Sequence, residues 1–151
     1  MEPVWLKNYE PGVPKTINPD AYPSLNALFG EMLTKYADLP AFTNMGQTLT
    51  YAEVDQRSKN FAAFLQQKLG LTKGERFAIM MPNLLHYPIA MLGILRAGCV
   101  VVNVNPLYTV EEFERQMHDA QATGVIVLEN FAHIVQQALP KTELKHVVIA
   151  K

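Results

Sequence analysis

The chain has 151 residues, of which 49% are apolar and 18% charged, and its formal net charge is −1. That length supports one domain burying roughly 70% of its unfolded surface, and the near-neutral charge gives no basic footprint for nucleic acid. Cys99 is the single cysteine, which excludes an internal disulfide and fits a reducing compartment. No apolar run approaches the roughly 18 residues of a spanning helix. Glu2 and several prolines stand where a secretory signal would be basic and then apolar, so a cytoplasmic location is expected.

Residues 1–23 carry Pro3, Pro11, Pro14, Pro19 and Pro23 around Gly12, a density that rules out regular helix and predicts an extended arm. Trp5, Leu6 and Tyr9 are read as pinning the arm to the domain, the alternative being docking on another subunit or a membrane surface. Residues 24–151 are expected to form one α/β subdomain. Its first helix starts at Ser24 as N-cap and runs to about Ala37, with Leu25, Leu28, Phe29, Met32 and Tyr36 on one face. Ala41–Thr43 and Thr48–Thr50 are short strands forming an antiparallel hairpin through a turn at Gly46.

Thr50-Tyr51-Ala52-Glu53 fits a capping box, with Leu49 and Val54 placed for a hydrophobic staple. The helix that follows carries Val54, Phe61, Ala62, Leu65 and Leu69 and stops at Gly70. A second box recurs at Thr109–Glu112, with Tyr108 and Phe113 as its staple. From Lys73 onward strands and helices alternate: strands at 77–81, 99–104, 125–128 and 146–150, helices ending at Ala97, spanning about 110–122 and about 131–139. That alternation implies right-handed crossovers and a parallel sheet covered on both faces, a three-layer architecture in flavodoxin-like order. Pro88 lies inside the first of these helical runs, five residues after the natural cap Asn83. Because an interior proline costs about 3 kcal/mol, the regular helix is expected to begin near Tyr87. Gly98 ends this helix as a left-handed cap. The helix over 91–97 and the Val-rich strand after it are not amphipathic, so both are expected deep in the core, with the strand at its centre.

Chemistry is harder to find. Gly93–Gly98 has the glycine spacing of a phosphate loop, but Cys99 and Val100 replace the Lys and Ser/Thr, and the stretch closes a helix instead of opening one. Met81-Pro82-Asn83 follows the first parallel strand where a dinucleotide fold has its glycines. No G-x-S-x-G elbow is present, and Ser24 and Ser58 are explained by helix signals. Cys99 reads as an inert core thiol. His86, His118, His133 and His146 share no ligand spacing, and Glu111, Glu112 and Glu114 suit a helix N-terminus. Asn103 and Asn105 are the best polar candidates. They either hold the turn after the strand or line a ligand at the carboxyl ends of the sheet. The residues themselves give no catalytic, cofactor-binding or metal-binding assignment.

A resemblance adds to this. Leu49-Thr50-Tyr51-Ala52-Glu53-Val54 resembles the first core motif of the adenylate-forming (AMP-binding) enzymes, the superfamily of acyl-CoA synthetases, luciferases and peptide-synthetase adenylation domains. Ile94–Pro106 (ILRAGCVVVNVNP) resembles the second, with Met81-Pro82-Asn83 fitting between them. Val4-Trp5-Leu6, Ile17-Asn18-Pro19-Asp20, Phe42–Gly46, Pro82–Pro88, Val102–Thr109 and Asn130–His133 are similar to the bacterial long-chain fatty acid–CoA ligase branch. There Asn103 replaces the proline of many other members.

The resemblance implies a two-step reaction in the parent enzyme: ATP and a fatty acid give acyl-adenylate and pyrophosphate, then coenzyme A displaces AMP. Magnesium would neutralise the leaving group. The family's phosphate loop, nucleotide-holding motifs and catalytic lysine have no counterpart in this sequence, so no family site residue can be placed here. The chain is therefore expected to be an inactive N-terminal scaffold, with no ATP, CoA or Mg bound, whose main partner is the remainder of its own chain. Homodimerisation, self-association through an uncovered sheet edge and peripheral contact with the inner membrane are further expectations. The competing reading is a stand-alone flavodoxin-like binding or interaction module without catalysis.

Overall fold

The structure, a computed structural model, describes residues 3–151; Met1 and Glu2, which begin the expected arm, lie outside the described residues. The proline-rich arm forms only a short 3-10 turn over Val4–Asn8. Trp5 on it is 59% exposed and Tyr9 is also exposed, so neither pins the arm to the body as the sequence suggested, while Leu6 is half-buried.

Helix α1 spans Leu25–Lys35, and the Ser24 hydroxyl accepts the Ala27 amide at 3.1 Å. It ends two residues earlier than expected. Its buried centre is Leu33, flanked by Phe29, while Leu25 is exposed, so the inward stripe sits further along the helix than the spacing implied. Strands β1 (Pro40–Asn44) and β2 (Gln47–Thr50) pair antiparallel. Met45 and Gly46 both have positive φ, 49° and 78°, as a two-residue I′ hairpin turn demands.

Helix α2 (Tyr51–Gln67) carries the full capping box: the Thr50 hydroxyl accepts the Glu53 amide, and Glu53 accepts the Thr50 amide at 2.9 Å. The staple residues Leu49 and Val54 are buried in one cluster with Leu33 and Leu92. Four parallel strands follow: β3 (Arg76–Met80), β4 (Val100–Val104), β5 (Gly124–Leu128) and β6 (His146–Ala150). They lie in the order β4-β3-β5-β6, the flavodoxin-like arrangement. Helix α3 (His86–Arg96) joins α2 on one face, whose core includes Leu65, Phe77, Ile79, Ile94 and Ile126. Helices α4 (Val110–Ala120) and α5 (Ala132–Ala138) cover the other, around Met80, Phe113, Met117, Val125 and Val127. The second capping box, at Thr109 and Glu112, opens α4.

Pro88 occupies the third position of α3, within the first turn, where the missing N–H has no intrahelical partner to lose. The helix begins at His86, one residue before the expected start. Asn83 does not cap it; the cap position is Leu85, with no side-chain hydrogen bond. At the other end the Gly98 amide donates to Leu95 O and the Cys99 amide to Ile94 O, with Gly98 at φ +80°. This pair of bonds is the Schellman closure. Gly93 is needed for a different reason: a Cβ there would lie 2.6 Å from Phe61 Cδ1, so it lets α2 and α3 pack closely.

The strand after Gly98 corrects one expectation. Among the described residues β4 is an edge strand, paired only with β3, and Val100 and Asn103 on it are exposed. β3 and β5 form the centre instead. A run of valines reports fitness for a pleated surface, and says nothing about which strands flank it.

Candidate functional site

In open α/β sheets ligands gather outside the carboxyl ends of the strands, where the strand order reverses. Here that rim is built from Met81-Pro82-Asn83 after β3, Asn105-Pro106-Leu107 after β4 and Glu129-Asn130 after β5. The hairpin leans onto it through Asn44, whose Nδ2 donates to Asn83 O at 3.3 Å. Between the hairpin and the start of α3 lies a cleft of about 340 Å³, lined by Phe42, Asn44, Asn83, Leu84, Tyr87 and Met91 among others. Its walls are mainly apolar, and no Lys or Arg lines it.

The two candidate asparagines are placed differently. Asn105 shapes the turn: its Oδ1 accepts the Leu107 amide at 3.0 Å and its carbonyl accepts the Tyr108 amide at 3.1 Å. Its acceptor oxygen is committed to the backbone two residues on, an Asx turn. Asn103 sits on the open edge strand, where Oδ1 accepts the Tyr87 hydroxyl at 2.7 Å and the backbone carbonyl accepts Gln116 Nε2 at 2.9 Å. Helices on opposite faces of the sheet thus both tie to one residue. Nothing in the sequence marks Tyr87 or Gln116 as a partner of Asn103. Sixteen and thirteen residues from Asn103, they offer no local spacing that would flag them.

The remaining polar groups are occupied structurally. The Cys99 thiol contacts Thr72 O, and burial, with the Glu75 charge beside it, pushes it above its usual range; a thiol so placed is a poor nucleophile. Thr72 and Glu75 repeat the T-x-x-E pattern away from any helix. Glu75 accepts from both the amide and the hydroxyl of Thr72, and a second oxygen accepts from Thr123 Oγ1 at 3.2 Å. Gly74, at φ +93°, turns the chain into β3 there instead of into a helix. The Thr72 amide bond chiefly holds the Glu75 carboxyl below the ordinary range. Burial opposes it, and the two threonine hydroxyls and the Lys145 charge add to the depression.

Asp55 links α2 to α3 through Arg96, at 2.6 Å, and also binds Lys59. Burial raises its pKa, but these two cations outweigh it and hold the carboxyl low. Ser58 is buried and donates to Asp55 O. His118 Nε2 lies 2.8 Å from Lys141 O, near the C-terminus of α4. Among the described residues no three His, Cys, Asp or Glu side chains converge as a metal site would require. Nor does any helix have the length and apolarity to cross a membrane.

Similarity to known proteins extends the picture. Residues 29–151 match the family described as AMP-binding enzyme. Across all 151 residues the chain is 53% identical to a long-chain-fatty-acid–CoA ligase of Salmonella typhimurium and 52% identical to one of Yersinia pestis. In both cases it matches the N-terminal part and spans 27% of the relative's length. Among solved structures, a benzoate CoA ligase from Burkholderia xenovorans superposes on 83% of this chain and 25% of its own, with a TM-score of 0.77 at 27% identity. A long-chain-fatty-acid-CoA ligase from Archaeoglobus fulgidus covers 94% of this chain and 30% of its own, with a TM-score of 0.80; at 23% identity that likeness speaks to fold alone.

Proposed function

The chain belongs to the AMP-binding enzyme family, and from that premise we propose that it is the N-terminal scaffold of a long-chain fatty acid–CoA ligase. The whole enzyme would convert ATP, a fatty acid and coenzyme A to acyl-CoA, AMP and pyrophosphate through an acyl-adenylate. The observation that carries this reading is the 53% identity over every residue of the chain, which takes in both core motifs and the arm.

ATP and magnesium do not fit the residues present. A triphosphate and its metal need converging cations, amides and carboxylates. The cleft between the hairpin and α3 has an apolar lining without Lys or Arg, and no metal-ligating cluster occurs among the described residues. We read the contribution of this chain as structural, a capped and close-packed layer. Fatty-acid-dependent exchange of pyrophosphate into ATP tests the reading. The purified 151-residue chain should show no exchange above a mock purification, and the longer protein should show it. Exchange by the short chain would refute the scaffold role.

Two finer expectations belong to the same proposal, a homodimer and peripheral contact with the inner membrane. Both are supported by the exposed Val4, Trp5, Tyr9 and Ile17 on the arm. Sedimentation of the longer protein, and its flotation with lipid vesicles before and after removal of residues 1–23, separate the two.

A further inference from the structure

β4 ends the sheet, and among the described residues no strand pairs with its outer side. The Val100 amide donates to Glu75 O, so the backbone groups of Val100 and, by alternation, Val102 and Val104 point toward β3. Those of Val101 and Asn103 point outward. Such an edge is a template for strand addition, which proteins usually blunt with a charge, a proline or a bulge. Val100–Val104 (VVVNV) has no charged residue and no proline, and its ladder with β3 runs without a shift from Arg76↔Val100 to Met80↔Val104. Val100 is 47% exposed. Antiparallel pairing of this edge with the same edge of a second copy would close on itself across a two-fold axis.

What stands at the edge instead is a side chain. Gln116, half-buried on α4, donates from Nε2 to the outward carbonyl of Asn103 at 2.9 Å. A primary amide offers the same kinds of donor and acceptor as a peptide group, and its donor here sits where the N–H of an added strand would. From the opposite face Tyr87, in the first turn of α3, donates to Asn103 Oδ1 at 2.7 Å and fixes the same residue. An added strand would have to displace the Gln116 amide before it could reach the Asn103 carbonyl.

We propose that Gln116 guards this edge: by occupying the Asn103 carbonyl it keeps β4 from pairing with β4 of a second copy, so any native self-association uses another surface. The test is sedimentation velocity on the longer protein over about a hundredfold range of concentration, with Gln116→Ala and Gln116→Lys beside the parent. Gln116→Ala loses the donor without adding a large apolar group. It should reach about twice the parent's mass at the upper concentrations, and the Val101 and Asn103 amides should become protected there. Gln116→Lys restores a donor and adds an edge charge, and should sediment as the parent does. Gln116→Ala sedimenting like the parent overturns the proposal. So does equal association of both variants, or association that leaves the Val101 and Asn103 amides exchanging as in the parent. If Gln116→Ala fails to fold, the unsubstituted protein still decides. Its Gln116 side-chain amide protons should exchange at least about tenfold more slowly than those of the exposed Gln67, and equal rates overturn the proposal.

Discussion

The two ends of the parallel sheet are built on different principles. At the amino end, loops and strands are stitched together by fixed polar contacts. Glu75 binds Thr72 and Thr123, Arg76 donates to Ala120 O and Gln121 Oε1, each at 3.0 Å, and the Gly74 amide donates to Gly98 O at 2.9 Å. At the carboxyl end the hairpin meets the rim through one long hydrogen bond, an apolar cleft stays open, and Leu107 is 79% exposed. The closed end fixes the register of the strands. The open end is where an α/β sheet receives other groups, and the cleft there is mainly apolar.

If stability is concentrated at the closed end, substitutions there should cost most. Phe77→Ala removes a fully buried ring from the start of β3 and should destabilise the chain by about 3–5 kcal/mol in denaturant unfolding. A cost near that of a surface change would break the contrast at once. Gly98→Val places a β-branched residue at φ +80°, against Lys73, and should cost roughly 1–2 kcal/mol; an unchanged midpoint would refute the left-handed cap.

Glu75→Gln should cost about 1 kcal/mol near neutral pH by weakening charge-assisted bonds, and it also changes the pH profile. The folded-state pKa of Glu75 is depressed, so its contribution is complete above its ordinary unfolded value of 4.5 and is lost as pH falls through the lower folded value. The substituted chain should lose less stability on acidification than the parent. Equal slopes below pH 5 would remove Glu75 from the account, while some slope should persist from Glu53, Asp55 and Glu112, whose pKa values are also lowered. At the open end Leu107→Ser should stay within about 0.5 kcal/mol of the parent. A larger loss would mean that the rim is already packed in this chain.

Local signals in the sequence specified most of the elements. Both capping boxes, the Ser24 cap and the Gly98 stop are set within a few residues, by backbone groups that need a nearby partner, and the start of α3 is set by the donor that Pro88 lacks. Thr72 and Glu75 mark the limit of that kind of reading, because the same T-x-x-E pattern formed a loop once Gly74 took a positive φ. The candidate asparagines separate in the same way. The Asn105 turn closes over two residues, whereas the meeting of Asn103 with Tyr87 and Gln116 depends on helices arriving from both faces.

The sequence by itself determined the α/β class, the parallel order of alternating elements and the family, since these follow from periodicity, capping chemistry and two contiguous motifs. Only the tertiary structure decided that the valine strand lies at the edge, that Trp5 and Tyr9 stay exposed, and that Val147 and Ile149 of β6 are only about half covered. Whether an apolar residue is buried depends on which neighbour reaches it across the sheet, and that partner is chosen by long-range packing, which local pattern does not encode.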